Sequence, residues 1–258
     1  MDGVTYYYYK GVFYIEKDGK YQVVEKPGSD TQAAQASVDQ QALECLRRMA
    51  DFLGTIQAGS LTIRDMSDEI TESGQKIQLE STRKVAFRAP DRLAVDFEDG
   101  NVTRRVVYDG KTITLFEKPQ NVYAQEPMPA TLSEAMDTLT SKYGMAIPAA
   151  ELLRKGLMEK LTPQLRSGEY LGTATIEGVT CHHLAFSKEW VDVQIWVEDG
   201  EKPLPRKAAI VYKKIPGTPK YSMTLSDWNL ADPPDSAFAM KLPDDAKKIA
   251  MVPLNPEQ

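Results

Sequence analysis

No stretch of this chain approaches the roughly 18 consecutive apolar residues of a membrane-spanning helix, so no span is expected. Positive charge is also short: 31 Lys and Arg stand against 37 Asp and Glu, giving a net charge of −6 with no basic stripe. A nucleic-acid partner, which needs such a footprint, is excluded on that ground. Cysteine occurs twice, at Cys45 and Cys181, far apart and at no metal-ligand spacing, which argues against zinc and dithiol chemistry. No Gly-x-Ser-x-Gly elbow, His-Glu-x-x-His motif, P-loop or dinucleotide glycine pattern is present, so the chain is read as non-enzymatic and without a cofactor or metal. Met1-Asp2-Gly3-Val4 runs straight into tyrosines, with neither a basic n-region nor an apolar h-region, and no signal peptide is read there.

What is present is 258 residues, 42% hydrophobic and 26% charged, enough for one large core without help from metal or disulfide. Two readings of the cysteines stand: a single Cys45–Cys181 bridge in an oxidising compartment, or two buried free thiols. Six of the twelve tyrosines fall in the first 21 residues. There, Tyr6, Tyr7, Tyr8, Tyr9, Phe13 and Tyr14 alternate with turn signals such as Asp18-Gly19, predicting two or three short strands over residues 1–26. An isolated hairpin is marginal in water. This appendage is therefore either packed on the main domain or used, through those six aromatics, to bind another protein or a second copy by strand addition. Residues 27–37 have linker composition, and 38–258 form the main domain.

From Val38 to about Gln57 the apolar residues recur at three and four: Leu43, Leu46, Ala50, Leu53. That predicts a helix with one buried stripe, bordered by Cys45. The period then changes to two. Ile77, Leu79, Val85 and Phe87 share one face of a strand from Gln75 to Arg88, and Leu93, Val95 and Phe97 repeat the pattern. Further strands are expected near Val102–Tyr108, Thr112–Phe116 and Asn121–Gln125, joined by Asp99-Gly100, Asp109-Gly110 and a turn at Pro119. Thr131 with Glu134 three residues on is a capping box for an amphipathic helix through Leu132, Met136 and Leu139 to Gly144. A second helix is expected from Pro148 and a short turn around Met158 to Leu165. Met128, Met136, Met145 and Met158 fall in this insert, as core filling or as a pliable lid. Strands then resume at Tyr170–Ile176, Cys181–Phe186, Trp190–Val197, Arg206–Lys214 and Lys220–Asn229, followed by a closing tail without regular structure. The sum is an α+β fold: a large curved antiparallel sheet of ten or eleven strands, an unclosed half-barrel around a few helices.

The blocks Tyr108-Asp109-Gly110-Lys111-Thr112, Lys142-Tyr143-Gly144, Gly178 to Phe186, Asp192 to Val197, Pro203 to Lys207 and Leu225-Ser226-Asp227-Trp228-Asn229 together resemble a family of predicted periplasmic proteins. The resemblance spans roughly Val38 to Met251. That family is similar in fold to the bacterial lipoprotein carriers LolA and LolB, an unclosed antiparallel barrel with an apolar interior. The resemblance implies a place in the envelope of a Gram-negative bacterium. It assigns no single residue of the carriers to a position here.

His182 and His183 are the only histidines. Neighbours on a strand point to opposite faces, so they cannot both reach one metal or substrate. A hairpin turning near Lys188 and Glu189 would set His182 opposite Trp196, His183 opposite Ile195 and Asp192 opposite Phe186, leaving His182 and Asp192 roughly 13 Å apart along the strands. A histidine packed on Trp196 is expected rather than a catalytic pair. The leading expectation is a binding protein whose concave face is lined by Leu79, Val85, Phe87, Leu93, Val95, Phe97, Leu132, Met136, Leu139, Leu184, Phe186, Ile195 and Trp228, open to a lipid, acyl chain or lipidated protein or else filled by the helices.

Overall fold

The computed structural model describes residues 6–9, 12–17, 20–24, 37–100, 102–145 and 157–254. They fall into two units, Met1–Ser37 and Val38–Gln258. In the first, β1 (Tyr6–Tyr9), β2 (Val12–Lys17) and β3 (Lys20–Val24) form an antiparallel three-stranded sheet in that order. Its register sets Tyr7 opposite Tyr14 and Tyr8 opposite Phe13. The Asp18-Gly19 turn, most of the 27–37 linker and the helix expected from Pro148 lie outside the described residues.

The second unit is built on one twelve-stranded sheet. Chain order supplies helix α1 (Gln40–Thr55), then β4 (Ala58–Ile70), β5 (Lys76–Arg88), β6 (Arg92–Asp99), β7 (Val102–Tyr108), β8 (Thr112–Glu117) and β9 (Val122–Pro127). Helix α2 (Leu132–Tyr143) and a short helical stretch, Leu157–Leu161 with a 3-10 turn Thr162–Gln164, interrupt the strands. They resume as β10 (Ser167–Ile176), β11 (Val179–Ser187), β12 (Val191–Glu198), β13 (Pro205–Tyr212) and β14 (Lys220–Asn229), with a two-residue β15 (Lys247–Lys248) at the end. The spatial order is β10-β11-β12-β13-β14-β4-β5-β6-β7-β8-β9-β15, antiparallel throughout except for the parallel pair β9–β15. The sheet is unclosed, as expected, and its twelve strands exceed the ten or eleven expected because β4 and the tail's β15 add to those that the sequence pattern predicts.

Two meanders, β4–β9 and β10–β14, become one sheet through the β14–β4 pairing. That joining strand is the one the sequence pattern does not announce. Leu61 and Ile63 alternate toward the core, but the next two positions on that face are Asp65 and Ser67. Asp is poor in strands and reads as a turn residue. Its thirteen paired positions with β5 override that local signal.

Caps position the helices. Asp39 ends the approach to α1: its carboxylate accepts from the Gln41 amide at 2.7 Å and from the Tyr170 amide at 3.3 Å, so one side chain caps the helix and ties it to β10. Close approach there needs Gly168, because a Cβ would lie 2.7 Å from the Val38 side chain and 2.8 Å from Phe186. In α2 the Thr131 hydroxyl accepts from the Glu134 amide and lies 2.7 Å from its carboxylate, and Gly144 closes the helix at φ 67°.

The tail is not irregular throughout. A 3-10 turn, Asp235–Phe238, lays buried Phe238 against Ala94 and Val107 on the sheet face away from the helices. Arg88 holds it through Asp232, Asp235 and the Pro233 carbonyl, and Arg105 through the Ala237 carbonyl.

Candidate functional site

Strand register alone defines the inner face. Leu184, Ile195, Ala208, Met223, Asp65 and Ser81 lie opposite one another in turn across β11, β12, β13, β14, β4 and β5. The next row toward β8 runs Leu225, Ile63, Arg83, Phe97, Arg104. Two apolar clusters cover this face. One gathers α2 residues Ala135, Met136, Leu139 and Tyr143 onto β4–β8; the other gathers α1 residues Ala42, Cys45, Leu46, Met49 and Leu53 onto β11 and β12. Partly buried Ile56 and Trp228 pack against both and form the seam between them.

The residues expected to line the concave face divide between the clusters. Val85, Phe87, Leu93, Val95, Met136 and Leu139 are buried in the α2 cluster, with Phe97 and Leu132 partly buried against it; Leu184, Phe186 and Ile195 belong to the α1 cluster. Leu79 is a correction: it is 39% exposed. The β5–β6 pairing begins only at Thr82, so the β4–β5 hairpin runs past its neighbour and Leu79 has nothing on that side to pack against.

Trp228 reaches the seam through a bulge. Strict alternation along β14 puts it opposite to Leu225, but the β14–β4 register shifts between Ser226 and Asn229, and Asp227 takes φ 52°. The extra residue returns Trp228 to the inner side, where its indole N–H donates to the Pro205 carbonyl at 3.2 Å.

The histidine register also needs correcting. Ser187 pairs with Asp192, so His182 faces Val197 and His183 faces Trp196, one step from the expected alignment. The turn runs from Lys188 to Val191, with the Lys188 amide bonded to the Val191 carbonyl, so it is centred on Glu189 and Trp190, one residue further along than a turn centred on Lys188 and Glu189. The histidine that stacks on Trp196 is accordingly His183, at 4.2 Å between ring centres and 13° between planes. His182, on the other face, bonds the Tyr170 hydroxyl through Nδ1 at 2.9 Å and Asp199 through Nε2 at 3.1 Å. Asp192 instead takes Lys213 and Ser187.

Both thiols are free and buried. Cys45 packs among Leu184's neighbours on the inner face, while Cys181 pairs with Glu198 on the outer one. Burial pushes the Cys45 thiol up and the Cys181 thiol up to about 11.

The feature that sequence reading misses is polar and sits inside the α2 cluster. The Arg83 guanidinium donates to the Asp65 carboxylate at 2.9 Å, and the Ser81 hydroxyl donates to the other oxygen at 3.0 Å. Phe97 lies under the guanidinium, 5.2 Å from its centre. Tyr221, 8% exposed, stands beside Arg83 from the other side of β4, its phenol pushed up to about 12 by burial. Its hydroxyl and the Arg83 Nε are buried; Arg83 meets the phenol oxygen, but neither of these atoms closes a hydrogen bond of full geometry. A separate cavity of about 490 Å³ lies between the outer face of β4–β6 and the tail, with Lys84, Asp96, Arg105 and Asp227 in its wall; of the residues expected to line a site it includes Val85 alone.

An unclosed antiparallel sheet with helices packed on one apolar face defines the class as an α+β half-barrel. The chain belongs to the family described as Predicted periplasmic protein (DUF2092), whose model matches residues 42–252. That description places the protein in the periplasm, the compartment the sequence resemblance implies. No curated protein matches the chain. Among solved structures, it is similar to an uncharacterized conserved protein from Thermus thermophilus, at 12% identity and a TM-score of 0.48 over 82% of this chain and 99% of that one. It is also similar to LprF from Mycobacterium bovis, at 11% identity and 0.48 over 81% and 99%, and to a LolA superfamily protein from Nitrosomonas europaea, at 12% and 0.36 over 77% and 97%. Among the described residues no helix is long and apolar enough to cross a membrane.

Proposed function

We propose that the protein is a non-enzymatic periplasmic carrier that takes the acyl chain of a lipid or lipidated protein between the inner face of the sheet and its helices. The observation that carries this reading is the seam: two apolar clusters share one sheet face, each held by its own helix, and meet at partly buried Ile56 and Trp228. Separately packed blocks part at lower cost than a single core, and a chain entering between them gains about 0.8 kcal/mol per buried methylene. Native mass spectrometry of protein taken from an envelope fraction tests it. Co-purified lipid, or a mass shift on adding fatty acid or lipopeptide, supports the reading; absence of both overturns it.

A second reading concerns the first unit. Its edge strands β1 and β3 each pair on one side only among the described residues, the arrangement that admits an added strand. Tyr6, Tyr7, Tyr8, Tyr9, Phe13 and Tyr14 would then engage an envelope protein or a second copy. Deleting residues 1–37 separates the readings: lost self-association with retained lipid uptake assigns the unit to interaction, and an unfolded core assigns it to structure.

A further inference from the structure

The polar group buried in the α2 cluster has an unfinished hydrogen-bond inventory. Arg83 and Tyr221 approach Asp65 from the strands on either side of it, β5 and β14. The two carboxylate oxygens take one donor each, from Arg83 and Ser81; the Arg83 Nε–H has only the Tyr221 oxygen beside it, short of full hydrogen-bond geometry, and the Tyr221 O–H has no acceptor. Buried donors of this kind are rare in folded proteins, because each forfeits its full desolvation cost. The guanidinium charge is already balanced by Asp65 at 2.9 Å. A second anion brought to the same spot would face the Asp65 carboxylate and lose its own hydration. The acceptor that fits is therefore neutral. The apolar neighbours fix the rest of its chemistry: Ile63 and Phe97 flank Arg83 in the strand register, Met223 faces Asp65 and Ile210 faces Tyr221.

Building on the carrier reading above, we infer that Arg83 and Tyr221 form a binding site for the neutral carbonyl oxygen of an acyl ester or acyl amide. They anchor the head of the acyl group while its chain lies along the inner face. The site selects esterified or amidated chains over free fatty acids.

Calorimetric titration of the full chain, stripped of lipid, tests this with three probes: dioctanoylglycerol, its dioctyl ether analogue lacking both carbonyls, and octanoate. The expected result is that the diester binds about five- to tenfold more tightly than the diether, the worth of one to two hydrogen bonds. Tyr221→Phe and Arg83→Lys should each weaken the diester by about fivefold and leave the diether unchanged. Tyr221→Phe deletes only a hydroxyl that closes no hydrogen bond of full geometry, so it keeps the test open should Arg83→Lys fail to fold. Equal binding of diester and diether, untouched by Tyr221→Phe, overturns the carbonyl site and leaves acyl binding standing. Tighter binding of octanoate than of the diester overturns the neutral-acceptor assignment. Binding of none of the three overturns the carrier reading, and this inference with it.

Discussion

The Asp65 carboxylate and the Arg83 guanidinium form an ion pair of 2.9 Å on the helix-covered face of the sheet, with side chains only 6% and 16% exposed. A pair so placed contributes little net stability, since desolvation offsets attraction, but breaking it strands a charge. Asp65→Leu alone is expected to cost roughly 3–5 kcal/mol, whereas Asp65→Leu combined with Arg83→Met should cost less than either of those single changes. Urea denaturation of the four proteins closes the cycle, and simple additivity of the single costs would remove the pair from this account.

The same carboxylate carries a pH signature. Burial raises it above its ordinary value of 3.8, against the opposing pull of Arg83 and the Ser81 hydrogen bond. The native state then holds a proton that the unfolded chain has lost, so this contribution to stability is complete below 3.8 and fades as pH rises through the folded value. Relative to Asp65→Asn, the wild-type protein should gain stability on acidification from about pH 7 to about pH 4. Unfolding midpoints at the two pH values decide the point; a gap that stays constant or moves the other way contradicts it.

Tyr221→Phe separates the resting protein from the loaded one. Removing a buried hydroxyl whose O–H has no acceptor, and which meets Arg83 only short of full hydrogen-bond geometry, relieves a desolvation cost. Lipid-free Tyr221→Phe should be as stable as wild type or up to about 1 kcal/mol more stable, a rise of roughly 2–4 °C in Tm for a chain of this size. A loss of that size by thermal denaturation would show that the hydroxyl is bonded in the resting state.

Much of the wall was legible, because its pattern is local. Leu93, Val95 and Phe97 alternate, Asp-Gly turns punctuate, and Thr131 with Glu134 caps a helix, each within a few residues. The candidate site was not legible, since it is made of exceptions to that pattern. Asp65 hides β4 by standing at a core position, and Ser81 and Arg83 read as the polar gap in the alternation of β5 between Leu79 and Val85. Tyr221 joins them only through the β14–β4 pairing, across 156 residues of sequence from Asp65. Polar residues at inward positions of adjacent strands are the signal that would have found it, once the register was known.

The cysteines give a chemical check on which face each strand presents. Cys45 and Cys181 lie on opposite sides of the sheet, so no bridge joins them without dismantling it. With the Cys181 thiol at about 11, only about a thousandth of it is thiolate near pH 8. Native protein should therefore react slowly with a disulfide reagent and release two equivalents of thiol on unfolding. Rapid release of one equivalent from the native state would place a cysteine at the surface.

Asp227 tests whether the seam is built by backbone geometry. Its φ of 52° is tolerated by Asp better than by a branched residue, and it is what turns Trp228 inward after Ser226. Asp227→Gly keeps the bulge and should be close to neutral. Asp227→Val should cost about 1–3 kcal/mol, through strain or through a slip that sends the indole outward and breaks its bond to the Pro205 carbonyl. In a background with Trp190→Phe and Trp196→Phe, Trp228 becomes the sole tryptophan, and its emission should shift to longer wavelength in the valine variant and not in the glycine one. If both variants emit like the parent and unfold at the same urea concentration, the bulge does not hold Trp228 at the seam. The two clusters would then be joined by packing alone.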